Sequence, residues 1–212
     1  MTLLNWHAVF FDFDGVILDS VNVKTRAFSK MFSRYGPEVE SAVVKYHLEN
    51  GGVSRHEKFK YFYENIMNQS IDEDEIQTLG NIFSALVINE VIASPFIDGA
   101  YEALETLKSN GVPAYLVSGT PWAEMRDIAT KKNVFHFFDE IHGSPAKKWD
   151  IVSDILSRKK YKPANCLFVG DALSDYEAAY RNKLHFLGIV SEGAASIFPN
   201  GTKVRNRVCL QF

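Results

Sequence analysis

Cysteine is scarce: the 212 residues include two, Cys166 and Cys209. Cys166 lies inside the apolar run Cys166-Leu167-Phe168-Val169 and Cys209 near the C-terminus, so a disulfide framework is excluded and a reducing compartment, the cytoplasm, is expected. Excess positive charge is also missing. A formal net charge of -3 gives no basic field to draw the chain to nucleic acid or to an anionic membrane. The Lys-Lys pairs at 131–132, 147–148 and 159–160 are scattered, as solvated helix ends would be. Met1-Thr2-Leu3-Leu4-Asn5-Trp6-His7 has no basic region, and the apolar stretch behind it meets Asp12 too early for a signal peptide or a membrane span. Internal repeats and low-complexity segments are absent. What remains is 46% hydrophobic and 23% charged, a globular balance with ample core, long enough for one large domain or one domain with an insert.

The apolar pattern changes period along the chain. Ala8-Val9-Phe10-Phe11 reads as a buried strand. From about residue 20 to 93 the period is helical. One stripe is Ala27, Phe28, Met31 and Phe32, ended by Gly36-Pro37; a second is Val43, Val44 and Leu48, closed by Gly51-Gly52. Phe59, Phe62, Tyr63 and Ile66 form a third, and Ile76, Leu79, Phe83, Leu86, Val87 and Val91 a fourth, broken at Ser94-Pro95. These are packing faces of a helical bundle. After residue 96, helices and strands alternate. Strands are expected at 112–117, 138–141, 166–169 and 186–190; Ala100, Tyr101, Leu104 and Leu107 mark a helix that stops at Asn110-Gly111, Ile151, Val152, Ile155 and Leu156 mark another, and 121–132 and 174–182 read as helices. Pro121 is expected in the first turn of its helix, and 204–210 as an edge strand. Alternation of this kind implies βαβ units and a parallel sheet, with the helical stretch as an insert.

The strand ends carry the chemistry. Asp12-Phe13-Asp14-Gly15 stands behind the first strand, where open α/β sheets bind ligands. Two carboxylates there need a cation or a proton; phosphoryl transfer to a carboxylate, with Mg²⁺ and a second carboxyl as acid and base, uses such a pair. Alone, the motif also reads as a solvated turn. Ser118-Gly119-Thr120 offers a hydroxyl and backbone amides as an anion cradle, or a turn with a helix cap. Gly170-Asp171, with Asp175 four residues on, could hold a cation and its waters, or cap a helix. Of Lys147 and Lys148, one reads as a counter-charge and the other as a surface residue.

Asp-x-Asp, Ser, Lys and Gly-Asp-x-x-x-Asp at four strand ends in chain order resemble the haloacid dehalogenase-like (HAD) hydrolase superfamily, over nearly the whole chain. The resemblance implies an α/β fold: a Rossmann-like parallel sheet core, 1–19 and 94–212, with an inserted α-helical cap, 20–93. It implies Asp12 as nucleophile, Asp14 as general acid and base, Ser118 and the Gly119 amide on the phosphoryl group, and Lys148 (alternatively Lys147) as the stabilising lysine. Mg²⁺ would be held by Asp12, Asp14 through its backbone carbonyl, and Asp171, with Asp175 supporting a metal-bound water or Lys148. Asp14 must carry a proton as an acid; neighbouring carboxylates favour that, whereas Mg²⁺ and lysine oppose it.

The dehalogenases of this superfamily lack an aspartate at the position of Asp14, which argues for phosphate chemistry. Insert position and length are similar to the group with β-phosphoglucomutase and phosphoglycolate phosphatase. Gly51-Gly52-Val53-Ser54-Arg55 is similar to the mutase specificity loop, so Arg55 is either a grip for a remote anion or a surface arginine at a helix start. The mutase pattern has a histidine where Lys24 stands, Glu-Asp where Gly170-Asp171 stands and a longer serine-rich loop at Ser118-Gly119-Thr120; Lys24 is then a candidate for a substrate carboxylate or phosphate. The expectation is a phosphatase for a small sugar-type or organic phosphate monoester, monomeric or weakly dimeric, with a sugar phosphomutase or a non-catalytic phosphate-binding module as alternatives.

Overall fold

The computed structural model describes residues 6–210; Met1–Asn5, most of the segment read for a leader, lie outside the described residues. Strand β1 (Ala8–Phe11) is wholly buried, as its β-branched and aromatic composition requires. It pairs in parallel with β2 (Ala114–Pro121) on one side and β4 (Cys166–Gly170) on the other. With β3 (Glu140–Ser144), β5 (His185–Ile189) and β6 (Val204–Arg205), the sheet has the order β3-β2-β1-β4-β5-β6, all parallel. The chain departs to opposite sides of β1, so the carboxyl ends of β1, β2 and β4 open on one crevice.

The two-residue period of the strands divides the core. Val9, Phe11, Leu116, Leu167 and Val169 face one cluster, and Ala8, Phe10, Tyr115, Val117 and Phe168 the other. Helices α7 (Lys148–Lys159) and α8 (Leu173–Arg181) cover the second face through Ile151, Val152, Ile155 and Ala178. On the first lie α5 (Ala100–Ser109) and α6 (Trp122–Lys131) through Leu104, Leu107, Met125 and Ile128. The architecture is Rossmann-like α/β.

Between β1 and α5 the chain runs through α1 (Val21–Phe32), α2 (Pro37–Glu49), α3 (Arg55–Tyr61) and α4 (Glu73–Ala93). Phe28 is the hub of this helical layer: its ring lies 4.4 Å from Phe83, 5.5 Å from Phe62 and 5.7 Å from Phe59. Each such buried ring contributes about 1.5–3 kcal/mol. Helix α4 starts on a capping box, with the Glu75 amide donating to Asp72 Oδ1 at 2.8 Å and the Asp72 amide to Glu75 Oε2 at 3.2 Å. It is long and apolar enough to cross a membrane by length and composition alone, but here it buries Ile76, Leu79, Phe83, Val87 and Val91 along one stripe. The outgoing and returning segments lie side by side: the Asp19 amide donates to Pro95 O at 2.9 Å and that of Ile97 to Ile17 O at 3.0 Å.

Several elements differ from the sequence reading. Strand β2 continues through Ser118-Gly119-Thr120 to Pro121, with a register irregularity after Val117, so Pro121 precedes α6 instead of opening it. Phe135–Phe137 forms a 3₁₀ turn, and the strand expected at 138–141 runs from Glu140 to Ser144; Phe138 is extended and buried but lies ahead of the paired strand. The expected edge strand at 204–210 stops at Arg205; the Val208 amide then bonds Asp98 O at 2.8 Å. In α2 the buried face is Val43 and His47, leaving Leu48 54% exposed.

Candidate active site

Asp12 leaves β1 with its amide bonded to Val169 O at 3.0 Å, so the nucleophile candidate is held by the β4 ladder. The chain then folds back: Phe13 O accepts from the Ile17 amide at 2.8 Å and from the Leu18 amide at 3.1 Å. Gly15 makes this turn at φ +76°, and a Cβ there would lie 2.1 Å from Asp171 Oδ2. Only glycine lets the backbone pass that close to the Asp171 carboxylate.

Asp12, Asp171 and Asp175 converge, one oxygen of each lying within 4.8 Å of the others. Lys148, the first residue of α7, is 5% exposed and reaches Asp12 Oδ2 at 2.9 Å and Asp175 Oδ1 at 2.6 Å. Lys147 is exposed, its ammonium 5.0 Å from the Trp149 ring centre. Burial pushes Asp12 up to about 7; Lys148 pulls against this, while Asp175 and Asp14 add to it. Burial likewise raises Asp171 well above the usual carboxylate range, with repulsion from Asp12 and Asp175 next in weight. Burial disfavours the Lys148 ammonium, but Asp12 and Asp175 outweigh it and the lysine is held charged.

Asp14 differs in kind. Its carboxylate accepts from Ser20 Oγ at 2.6 Å and from the Lys24 ammonium, which also donates to Thr120 Oγ1 at 2.8 Å. Burial raises Asp14, yet Lys24 and Ser20 prevail and its pKa falls below the ordinary value. Of the two opposing influences expected on its proton, carboxylates and lysine, lysine prevails. The leading lysine is Lys24, which bonds Asp14 and Thr120 and lines the same cavity as Asp12.

Ser118 is buried, its Oγ accepting the Thr120 amide at 3.1 Å. It lines a side cavity shared with Lys148 and Ser144, whereas Gly119 borders both that cavity and the one holding Asp12. The loop after α2 closes over this point: a Cβ on Gly119 would lie 2.5 Å from Gly52 O, and Ser174 Oγ donates to Gly51 O at 3.1 Å. Arg55 is neither exposed nor free. Its guanidinium meets Glu124 of α6 at 2.5 and 3.0 Å and Ser84 Oγ at 2.6 Å, 4.7 Å above the Phe83 ring centre. Asp175 is engaged at both oxygens, by Lys148 and by the Ala172 amide at 3.1 Å.

The family model for haloacid dehalogenase-like hydrolases matches residues 6–181. The chain belongs to the haloacid dehalogenase-like hydrolase family. Among curated relatives, Phosphoglycolate phosphatase 1 of Pseudomonas aeruginosa is 27% identical over 177 residues, 81% of this chain and 64% of that protein. The chain thus spans under two thirds of that relative's length. A family IA, variant 3 HAD hydrolase from Entamoeba histolytica superposes with a TM-score of 0.76 at 20% identity, covering 94% of this chain and 92% of that one. The β-phosphoglucomutase of Clostridium difficile gives 0.71 at 21% identity, covering 88% and 85%. At these identities the two structures share the fold.

The residues of this HAD hydrolase fit a hard divalent cation. Asp12 Oδ1 is buried with no hydrogen-bond partner among the described residues. Beside it stands Asp171, a second carboxylate that burial and like charge make costly to ionise alone. Oxygen donors of this kind suit Mg²⁺. Side chains at the site that the sequence did not single out include Ser20, His47, Lys58 and Glu124. A signal existed for Lys58. Arg55, Lys58, Phe59 and Phe62 share one helical face by spacing, so two cations sit on an otherwise apolar stripe.

Proposed function

We propose that this chain is a Mg²⁺-dependent phosphatase that hydrolyses a small phosphate monoester through an aspartyl-phosphate on Asp12. The observation that carries the reading is the pairing of Asp12 with Lys148 at one oxygen while its other oxygen stays buried and unbonded. Asp12 attacks phosphorus, the bond to the leaving oxygen breaks, and Asp14 delivers a proton to that oxygen. A water then attacks phosphorus, Asp14 takes its proton, and the Asp12–phosphorus bond breaks to release inorganic phosphate. Lys148 offsets charge on the phosphoryl oxygens, and Ser118 with the Gly119 amide orients them. Lys24 holds Asp14 ionised before substrate arrives; the incoming phosphate's charge opposes Lys24 and raises the proton affinity of Asp14, which takes up a proton from solvent before the leaving oxygen departs. Asp12, Asp171 and the main chain of Asp14 would hold the metal. When bound, Mg²⁺ neutralises charge on the transferring group and lets the carboxylates beside it stay ionised.

A small substrate is supported by the cavity, about 120 Å³ and lined in part by Asp12, Asp14, Lys24 and Gly119. Sites for drug-sized ligands run to roughly 300–1,000 Å³. The phosphoglycolate phosphatase relative supports hydrolysis over isomerisation. The helical layer would act as a cap that excludes bulk water during phosphoryl transfer. The test is phosphate release from a panel of metabolite phosphates with and without Mg²⁺. Release that stops with EDTA and in Asp12→Asn, with the variant still folded, is expected, because an amide is a poor nucleophile. Conversion of glucose-1-phosphate to glucose-6-phosphate outpacing all phosphate release, or inertness across the panel and toward p-nitrophenyl phosphate, would overturn it.

A further inference from the structure

Lys58 on α3 is 3% exposed, and among the described residues no carboxylate pairs with it. Its ammonium lies 2.8 Å from His47 Nδ1, 3.4 Å from His47 O and 5.8 Å from the Phe28 ring centre. A buried ammonium served by one ring nitrogen and one long carbonyl contact is short of negative charge. His47 has the complementary shortage. Accepting from Lys58 at Nδ1 leaves its ring proton on Nε2, and Nε2 is buried without a partner among the described residues. Both residues line the cavity that Asp12 and Asp171 also line. Two unspent donors and one charge therefore belong to residues that line this pocket, and among the described residues no carboxylate answers them.

We propose that Lys58 Nζ and His47 Nε2–H form a subsite for a second anionic group on the substrate, so that the ester hydrolysed carries a carboxylate on its leaving-group side. This rests on the phosphatase reading above and adds the class of leaving group. A carboxylate has the two acceptor oxygens and the charge that the donors lack. The small cavity favours it over a second phosphate. Titration is in accord. Burial lowers Lys58 to about 7, with Lys24 lowering it further and Asp14 opposing. Burial, then Lys58, lowers His47 to about 3, so the ring is a neutral donor at any physiological pH. An anion placed against Lys58 supplies the countercharge that burial withholds.

The experiment separates this subsite from the chemistry at Asp12 by using ligands that cannot be hydrolysed. Binding of phosphonoacetate, methylphosphonate and methylenediphosphonate is measured with Mg²⁺, and kcat/KM is measured for 2-phosphoglycolate and 2-hydroxyethyl phosphate. Wild type should prefer phosphonoacetate to methylphosphonate by about 10- to 100-fold, the worth of a charge-assisted hydrogen bond. Lys58→Met should cut that preference, and the selectivity for 2-phosphoglycolate, by the same factor. Equal binding of the two monophosphonates by wild type overturns the subsite whatever the variant does. Methylenediphosphonate binding tighter than phosphonoacetate overturns the choice of carboxylate. A preference for phosphonoacetate lost in Lys58→Met, with no phosphate released from any ester, upholds the subsite and sinks only the phosphatase reading.

Discussion

At the scale of single residues, two carboxylates two positions apart are driven in opposite directions. Asp12 is buried with Asp175 and Asp14 near it and is pushed up to about 7, whereas Lys24 and Ser20 draw Asp14 below the ordinary value. For the chain alone these directions are the reverse of the proposed roles, since a nucleophile needs its carboxylate ionised and an acid needs its proton; the charges of the bound cation and phosphate must invert them. The proton Asp14 delivers matters in proportion to how poor the leaving group is. Asp14→Asn should therefore cut kcat for an alkyl phosphate by about 10²- to 10⁴-fold, the usual worth of general acid catalysis, and cut it far less for p-nitrophenyl phosphate. Equal losses on both would remove the acid role from Asp14. The two aspartates were visible as a motif. Their opposite shifts were not, because Lys24 and Ser20 reach Asp14 only after α1 has turned back over the strand end.

Elements with a strong local period were legible, and those set by tertiary context were not. The aromatic stripes of α1 and α4 and the apolar run of β1 have one good solution each. Phe138 has two, paired strand or buried lead-in, and it is extended and buried but precedes the paired residues of β3. Of the site, the groups carried on strand ends were readable because sheet topology brings such ends together. His47, Lys58 and Glu124 lie on helices whose mutual placement no local pattern encodes. Strand β3 makes a separate prediction. Its first residue, Glu140, accepts from Arg158 at 2.8 and 3.1 Å and lies 3.3 Å from Lys159, at the far end of α7 from the site. The Arg158 hydrogen bond leads in lowering Glu140 to about 2, against partial burial and with help from His142 and Lys159. A depressed carboxylate stabilises the fold above its unfolded pKa and loses that contribution as pH falls through the folded value. Glu140→Gln should lower Tm by about 2 °C at neutral pH, discounted for solvent screening. In thermal melts the gap should close as pH drops from 4.5 toward about 2; a gap independent of pH would deny the ionic origin.

At the scale of the molecule, the question is what holds the helical layer against the sheet domain. Two glycines, Gly52 and Gly119, bring backbone against backbone at the mouth of the site. Lys132, just past α6, donates to Ile92 O at 3.0 Å and Ser94 O at 2.6 Å, fastening the end of α4. The third fastening is ionic. The Arg55 and Glu124 side chains are 4% and 9% exposed, come from opposite layers and are joined again through Ser84. Removing one partner of a buried pair strands the other charge, at a cost of about 3–5 kcal/mol, whereas an apolar replacement of both is often neutral. Here a stranded charge has a cheaper route than unfolding, since the layers can part and let water reach it. Glu124→Gln and Arg55→Met should each give a more open particle, seen as a larger radius of gyration in solution scattering and faster proteolysis at the Gly51-Gly52 loop. Arg55→Met combined with Glu124→Leu should return to the closed dimensions. Single variants as compact and protease-resistant as wild type would mean that the glycine contact and Lys132 suffice. A double variant as open as the singles would mean that closure needs the charges themselves and not only the absence of a stranded one.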